Sequence, residues 1–478
     1  MVASILPTNS VSGGYEISNS LRFNDSDSQY IYRTPSQETN KQTWTWSAWF
    51  KRSDITTAQN LWTAGDDVNN RCHLDINASG TFQVEAKNGG TSVMKCEGGR
   101  YLRDPNAWMH LVWRIDTTQG TDSNRMRIYI NGTQFTFSDN SYPSQNTNFE
   151  INVNNVLHAI GKRTWADQNY FDGYLAEVHF VDGQSYAPTV FGETNDNGVW
   201  IPKDCKDDIT YGTNGYFLEF KQTGTSANSS GIGADTSGND NHFSLDNFAG
   251  KDVVVDTPTN NFMTMNPLYT NSRGAFREGN TQVETNVQGS APYGQVEFGN
   301  FHVNSGKWYF EVRPTTVGSG GSLGLGVNER AYEGTYINGH NNGGSAGNIR
   351  WNHSNGNIVN GSTSTTSGST YANDDILGFA MDLDNSKIYC HKNGTYENSG
   401  DPAAGSNGIT MTSAYSDYWT PWMSKDDTTN NAIVDFNFGN PQFAISSSNA
   451  DANGYGNFEY AVPSGFFSLC TKNLAEYG

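Results

Sequence analysis

Apolar and polar residues alternate with a period of two along much of the chain, and no stretch keeps the i, i+3, i+4, i+7 spacing of an amphipathic helix for three turns. In 43–51, Trp44, Trp46, Ala48 and Phe50 fall on one face and Thr43, Thr45, Ser47 and Trp49 on the other, which is strand spacing. Met109, Leu111, Trp113 and Ile115 alternate in the same way with Trp108, His110, Val112 and Arg114. Met126, Ile128 and Ile130 alternate with Arg127 and Tyr129 and run into Asn131–Gly132. An Asn–Gly pair between alternating runs predicts a tight hairpin, because both turn residues must accept positive φ, and 134–137 is the expected return strand. The C-terminal half repeats the device, with strands expected at 308–313, 323–327 and 376–383 and a hairpin from 387–392 through Asn393–Gly394 to 395–397. The pattern predicts an almost wholly β protein.

Between these two strand-rich blocks, 189–299 is richer in Asn, Thr, Gly and Asp, with apolar islands at 216–220, 253–255 and 262–268. A flexible linker would leave those aromatic and aliphatic groups in water, so the islands predict a packed bridge. The low-complexity stretches 318–322 and 362–369 are expected as loop tips. The first twenty residues carry Ile5, Leu6 and Val11 without a strand pattern and read as an extended arm that docks on another surface. The expected organisation is therefore an arm at 1–20, a first sandwich at 21–188, a bridge at 189–299, a second sandwich at 300–445 and a tail at 446–478 that packs back on it.

Composition narrows the class of partner. Aromatic residues make up 13% of a chain that is only 35% hydrophobic, with 51 glycines, which suits sandwiches with one buried face per sheet and long loops. The 29 Lys+Arg against 49 Asp+Glu give a net charge of -20, which disfavours a phosphate-backbone partner, so nucleic acid is not expected. No run approaches the roughly 18 apolar residues of a membrane helix, and 1–20 lacks the basic start and apolar stretch of a signal peptide. Neither membrane insertion nor export by that signal is expected. Cys72, Cys96, Cys205, Cys390 and Cys470 form no CxxC pair, and this odd, scattered set reads as small buried hydrophobes of a protein made in a reducing cytoplasm. The sequence leaves a Cys72–Cys96 bridge open.

Five blocks, SLRFNDSDSQYIYRTP, WTWSAWFKR, NAWMHLVWRID, MRIYINGTQF and IGKRTWADQNYFDGYLAEVHFVDG, occur in the order found in laminin-G/pentraxin-like domains of the concanavalin A type, which residues 21–188 resemble. Within the last block, Asp172–Gly173 looks like that family's turn into the final core strand, a structural role. Residues 301–443 resemble a SPRY domain through GKWYFEVRP, SLGLGVNE, DDILGFAMDLDNSKIYCHKNGTYE, TPWMS and VDFNFGNPQF. Both resemblances imply the same fold class: all-β, two concanavalin A-like antiparallel β-sandwiches of jelly-roll type joined by a packed irregular bridge. The connecting text FGETNDNGVWIP, GADTSGNDNHFSL and DTPTNNFMTMNPL is similar to stretches in proteins of marine tailed phages, where such modules recur together in tail-fibre-like or other virion surface proteins.

Concanavalin-like folds include glucanases, which set paired carboxylates on one strand face as E-x-D-x-x-E or E-x-D-x-E. No Glu in the chain is followed by Asp two residues later, and the same-face neighbours of Glu177 in a strand would be His179 and Val181. The signatures H-E-x-x-H, G-x-x-x-x-G-K-[ST] and G-x-G-x-x-G are also missing, and the nine histidines show no metal-ligand spacing. No catalytic residues are expected. Calcium is the one cofactor to weigh, because pentraxin-like and laminin-G relatives hold it in rim loops. Asp66, Asp67 and Asn69 offer the oxygen donors a hard cation takes, and 235–240 forms a second oxygen-rich loop, but the same residues also make ordinary Asp/Asn turns. For ligand binding, Trp165 and Tyr170 lie in a loop before FDG, while Tyr336, His340 and Trp351 lie in the longest variable region of the SPRY-like half, and core packing under a loop is the alternative for each.

The resulting expectation is a non-enzymatic phage virion surface protein, a tail fibre or spike component that binds a host glycan or protein and assembles as a homo-oligomer, a trimer first. Its arm at 1–20 would dock on other virion proteins. A capsid-decorating protein or head fibre is the nearest alternative, and a secreted bacterial lectin or degenerate glucanase the alternative of another class.

Overall fold

The computed structural model describes residues 14–166, 168–268, 274–285, 295–318, 322–329, 347–360, 364–413, 418–426 and 431–478. The chain divides into two compact units after Asn260. In the first unit the main strands are, in chain order, β1 (Ser20–Phe23), β2 (Tyr30–Arg33), β3 (Thr43–Arg52), β4 (Gln59–Asp67), β5 (Asn70–Ile76), β6 (Phe82–Asn88) and β7 (Thr91–Gly98). They continue as β8 (Met109–Asp116), β9 (Met126–Ile130), β10 (Thr133–Gln134), β11 (Asp139–Ser141), β12 (His158–Ile160) and β13 (Gly173–Asp182). Two antiparallel sheets result, one ordered β10-β9-β8-β3-β13-β1 and the other β11-β7-β6-β5-β4-β12-β2. Their facing sides form the core, in which the Trp44 ring lies 4.7 Å from Trp113 and 5.7 Å from Trp62. Each such side chain contributes roughly 1.5–3 kcal/mol by leaving water.

Strand alternation alone would leave Trp49 and Trp108 on a solvent face, yet both are buried. The N-terminal segment and later chain cover that face: Tyr15, Ile17, Trp200 and Val254 pack on Trp49, Trp108, Tyr174 and Ala176, while Phe191, Tyr211 and Phe217 cover Val112 and Val181. Polar groups trapped underneath are paired, as buried groups must be. Lys51 forms an ion pair with Asp256, which also accepts a 3.0 Å bond from the Trp108 indole. His110 contacts Ser47 Oγ at 2.9 Å and accepts from the Trp200 indole at 3.1 Å, and His179 meets the Tyr211 hydroxyl at 2.9 Å.

The stretch 189–299, expected as a bridge between sandwiches, is divided at Asn260 and completes sheets instead. Tyr216–Leu218 pairs with β13, Ser244–Asp246 with β2 and Val253–Val254 with β1. Beyond Asn260, Gln282–Glu284 pairs with Ile433–Asn437 in the second unit. These strands of two or three residues are too short to show a period.

Both Asn–Gly pairs form the expected turns, with φ of 49° and 74° at Asn131 and Gly132 and 49° and 82° at Asn393 and Gly394. The second unit again has two layers, antiparallel but for Phe467–Ser468, which pairs in parallel with Lys307–Thr316; one is centred on Lys307–Thr316 and Leu377–Asp382, the other on Ser322–Asn328 and Thr420–Asp426. Residues 362–369, expected as a loop tip, contain instead the edge strand Ser364–Ser367, paired with Asn357–Asn360. The chain after 445 is held by Glu311, whose buried carboxylate accepts bonds from the amides of Glu459 (3.0 Å) and Tyr460 (2.8 Å), Tyr309 Oη (3.0 Å) and Asn437 Nδ2 (3.2 Å). Among the described residues, Thr471–Tyr477 is the one α-helix, and no helix is long and apolar enough to cross a membrane. All five cysteines are buried and free, with Cys72 on β5 and Cys96 on β7, two strands apart.

Candidate binding face of the first sandwich

Strands β4 to β7 turn one parity of residues inward and the other outward. Cys72, Leu74 and Ile76 of β5 and Phe82, Val84 and Ala86 of β6 enter the core. Cross-strand partners share a face, so the register places Thr63, His73, Glu85, Lys95 and Ser141 in one row across the outer surface, with Tyr32 and Ser244 beyond Ala159 at its other end. A neighbouring row holds Asp75, Gln83, Glu97 and Asp139.

The loop between β12 and β13 lies across this surface. Arg163 pairs with Asp75, its Nε 2.9 Å from Oδ2, while Asn60 Nδ2 donates to Oδ1 at 2.6 Å. Trp165 is half-buried, its ring 4.8 Å from His73 and under the Arg71 guanidinium at 4.5 Å. Arg71 in turn pairs with Glu85 at 2.8 Å. Burial, reinforced by Arg163, Arg71 and Lys87, holds the His73 imidazole well below its usual range, so it is neutral. Burial also pushes the Asp75 carboxyl up, against the pull of Arg163 and Asn60.

At the β2 end the same loop brings three half-buried tyrosines together. Tyr30 lies 5.5 Å from Tyr32 and 6.3 Å from Tyr170, with the Lys162 ammonium 4.5 Å over Tyr30 and 5.2 Å over Tyr170. Burial and the Asp246 carboxylate raise Tyr30 to about 12, so its hydroxyl stays protonated as a donor. The surface therefore offers flat rings, fixed donors and acceptors, and in Asp75, Glu85 and Glu97 carboxylates tied to a cation. Such a surface can hold a polar ligand with apolar faces, which is what a sugar presents.

Of the residues singled out from sequence, Trp165 and Tyr170 lie on this surface. Trp351 does not present a ring to a ligand: it is fully buried in the second core, its indole donating to Ser369 O at 2.9 Å and its ring packed edge-on against Tyr371 and Phe379. Tyr336 and His340 lie outside the described residues. For calcium, the side chain of Asp66 is likewise outside them, and Asp67 uses both carboxylate oxygens locally, on the Asn69 amide at 2.5 Å and Asn70 Nδ2 at 3.0 Å. That is the geometry of an Asx turn. Asp235 is saturated in the same way by the amides of Phe217, Ser237 and Asn241 and by Ser237 Oγ. Sequence reasoning missed Tyr30, Tyr32, Arg71, His73, Asp75 and Arg163. The available signal was the strict alternation of RCHLDI and FQVEAK, whose polar parity had to face outward.

Residues 25–190 match the family model described as Laminin_G_3, concanavalin A-like lectin/glucanases superfamily. Comparison with curated proteins gave no match. Among solved structures, the chain is similar to the SPRY domain of human HERC1, at 12% identity and a TM-score of 0.26 over 33% of this chain and 87% of that one. It is similar to the heptameric SAP-like pentraxin of Limulus polyphemus, at 13% identity and 0.27 over 36% and 80%. It is also similar to a putative carbohydrate binding protein from Bacteroides ovatus, at 17% identity and 0.26 over 37% and 46%.

Proposed function

We propose that the chain is a non-catalytic carbohydrate-binding protein that uses the outer face of the β11-β7-β6-β5-β4-β12-β2 sheet. The observation that carries this reading is the loop 161–170, which sets Trp165 among Arg71 and His73 and Tyr170 beside Tyr30 and Lys162 on a concanavalin A-like sandwich. Hydrolysis would need one carboxyl poised as acid beside a second as nucleophile or base. On this face Asp75 is tied to Arg163, Glu85 to Arg71 and Glu97 to Lys95. Screening the intact protein on an array of bacterial and algal polysaccharides tests the reading. Binding without release of reducing sugar supports it, and turnover of any bound polysaccharide rejects it.

The proposed setting is the surface of a tailed-phage particle, as a tail fibre or spike component in which a sugar-binding module meets the host. Support comes from the pairing of laminin-G-like and SPRY-like modules and from the connecting text. Immunogold labelling of particles distinguishes tail from capsid, and labelling of the head alone favours a decorating protein.

A further inference from the structure

Among the described ion pairs, those that join a lysine to a carboxylate keep the lysine side chain at least 24% exposed, with one exception. In that exception, Lys51 and Asp256, the two side chains are 2% and 0% exposed. Lys51 lies near the end of β3 on the covered outer face that also carries Trp49, and its register partner is Tyr174 of β13. Asp256 follows the short strand Val253–Val254, which pairs with β1. Their contact joins positions 205 residues apart in the chain. Lys51 Nζ meets Asp256 Oδ2, while Oδ1 accepts the Trp108 indole at 3.0 Å. Ser20 Oγ donates to the Asp256 carbonyl at 2.6 Å and so fixes its backbone. The Tyr174 ring lies 4.5 Å from Nζ and the Trp108 ring 5.7 Å, and both belong to a buried apolar cluster with Val254.

An amine in lasting contact with a carboxyl, shut off from water, is placed to condense with it. Burial pulls the Lys51 ammonium below its usual range, against the pull of Asp256 and Asp104, and it is the neutral amine that acts as a nucleophile. A proton passing from Nζ to Oδ2 along their hydrogen bond leaves a neutral amine beside a neutral acid. The Nζ lone pair then adds to Cγ, and the electron pair of the Cγ–Oδ1 double bond moves onto Oδ1, where the Trp108 indole already donates. Collapse of this adduct restores the double bond and expels Oδ2, which takes a second proton from Nζ and leaves as water. One C–N bond forms and one C–O bond breaks, with no oxidant, reductant or co-reactant. Fixed contact supplies the effective concentration that the same condensation lacks between free groups in water. The product is a neutral amide in place of two buried charges, which removes the cost of keeping those charges out of water.

We propose that Lys51 and Asp256 become joined by an amide bond between their side chains, which forms without a partner enzyme once the first unit has folded and releases one water. The bond staples the last segment of the first unit to β3. Tension arriving along the chain from beyond Asn260 then meets β3 before it reaches the short pairings of Val253–Val254 and Ser244–Asp246. The test is the mass of the intact purified chain under denaturing conditions, followed by tryptic mapping. The expected chain is lighter than its sequence by one water, with peptide 42–52 joined to peptide 252–273, because trypsin does not cut after an acylated lysine. Lys51→Arg and Asp256→Ala should each carry the full mass of their sequences and give no joined peptide. A wild-type chain of full mass, with 42–51 and 252–273 recovered separately, would overturn the proposal and leave the contact an ion pair. So would a loss of water that maps to a cyclic imide at Asp172–Gly173 or Asp182–Gly183. Both readings come from the wild-type chain, so the test holds even where a variant fails to fold.

Discussion

Glu177 shows how much one residue's surroundings can change its chemistry. A strand register would align it with His179 and Val181, but the β3–β13 ladder shifts between Ala176 and His179, and Glu177 sits at the bulge with φ of 45°. Its side chain is turned under the N-terminal segment, where Tyr15 Oη donates to Oε1 at 2.6 Å. Burial is the main cause that lifts its carboxyl to about 8. Because the unfolded value is near 4.5, the folded state holds the extra proton across the interval between, and stability falls as pH rises through that window by at most roughly 1.4 kcal/mol per pH unit. Glu177→Gln should match wild type near pH 5 and unfold at a higher temperature near pH 9, which paired melting curves will show. Asp256→Ala, by contrast, strands the buried Lys51 ammonium and should cost about 3–5 kcal/mol in chemical denaturation. Single residues were unevenly legible. Trp165 and Tyr170 stood out as aromatics in a loop, whereas Trp351, read as a candidate in a variable loop, shares a strand face with Ile349, a two-residue spacing that points to the core.

At the level of elements, sequence was most informative where local chemistry decides. The Asn–Gly hairpins are visible because αL geometry at both positions leaves few other residues acceptable. Gly132 has a second constraint, since a Cβ there would meet the Trp200 ring at 2.4 Å. Gly132→Ala should therefore cost roughly 2 kcal/mol or more, through both the positive φ and the displaced tryptophan, and a loss of Trp200 fluorescence anisotropy with the fold retained would report the latter. The short strands at 216–218, 244–246 and 253–254 were illegible for the opposite reason: their pairing is decided by partners about 35 to 235 residues away in sequence. The tail is held by long-range contacts of the same kind. Glu311→Ala removes the acceptor for two backbone amides, and limited proteolysis should then cut near 459–460 well before the wild-type chain is cut there.

For the whole molecule, the division at Asn260 replaces a sandwich ending at 188 followed by a bridge. A chain cut at 188 would expose Trp49, Trp108, Tyr174, Val112 and Val181, which later residues cover, and should aggregate. A chain ending at Asn260 should stay soluble and melt cooperatively. The account rests centrally on the outer sheet face as a carbohydrate surface. Its most direct test is a calorimetric titration of the best polysaccharide hit into wild type, Trp165→Ala and Tyr170→Ala, with melting curves confirming that all three are folded. At least a tenfold loss of affinity in both variants is the predicted result. Unchanged affinity in both would contradict it.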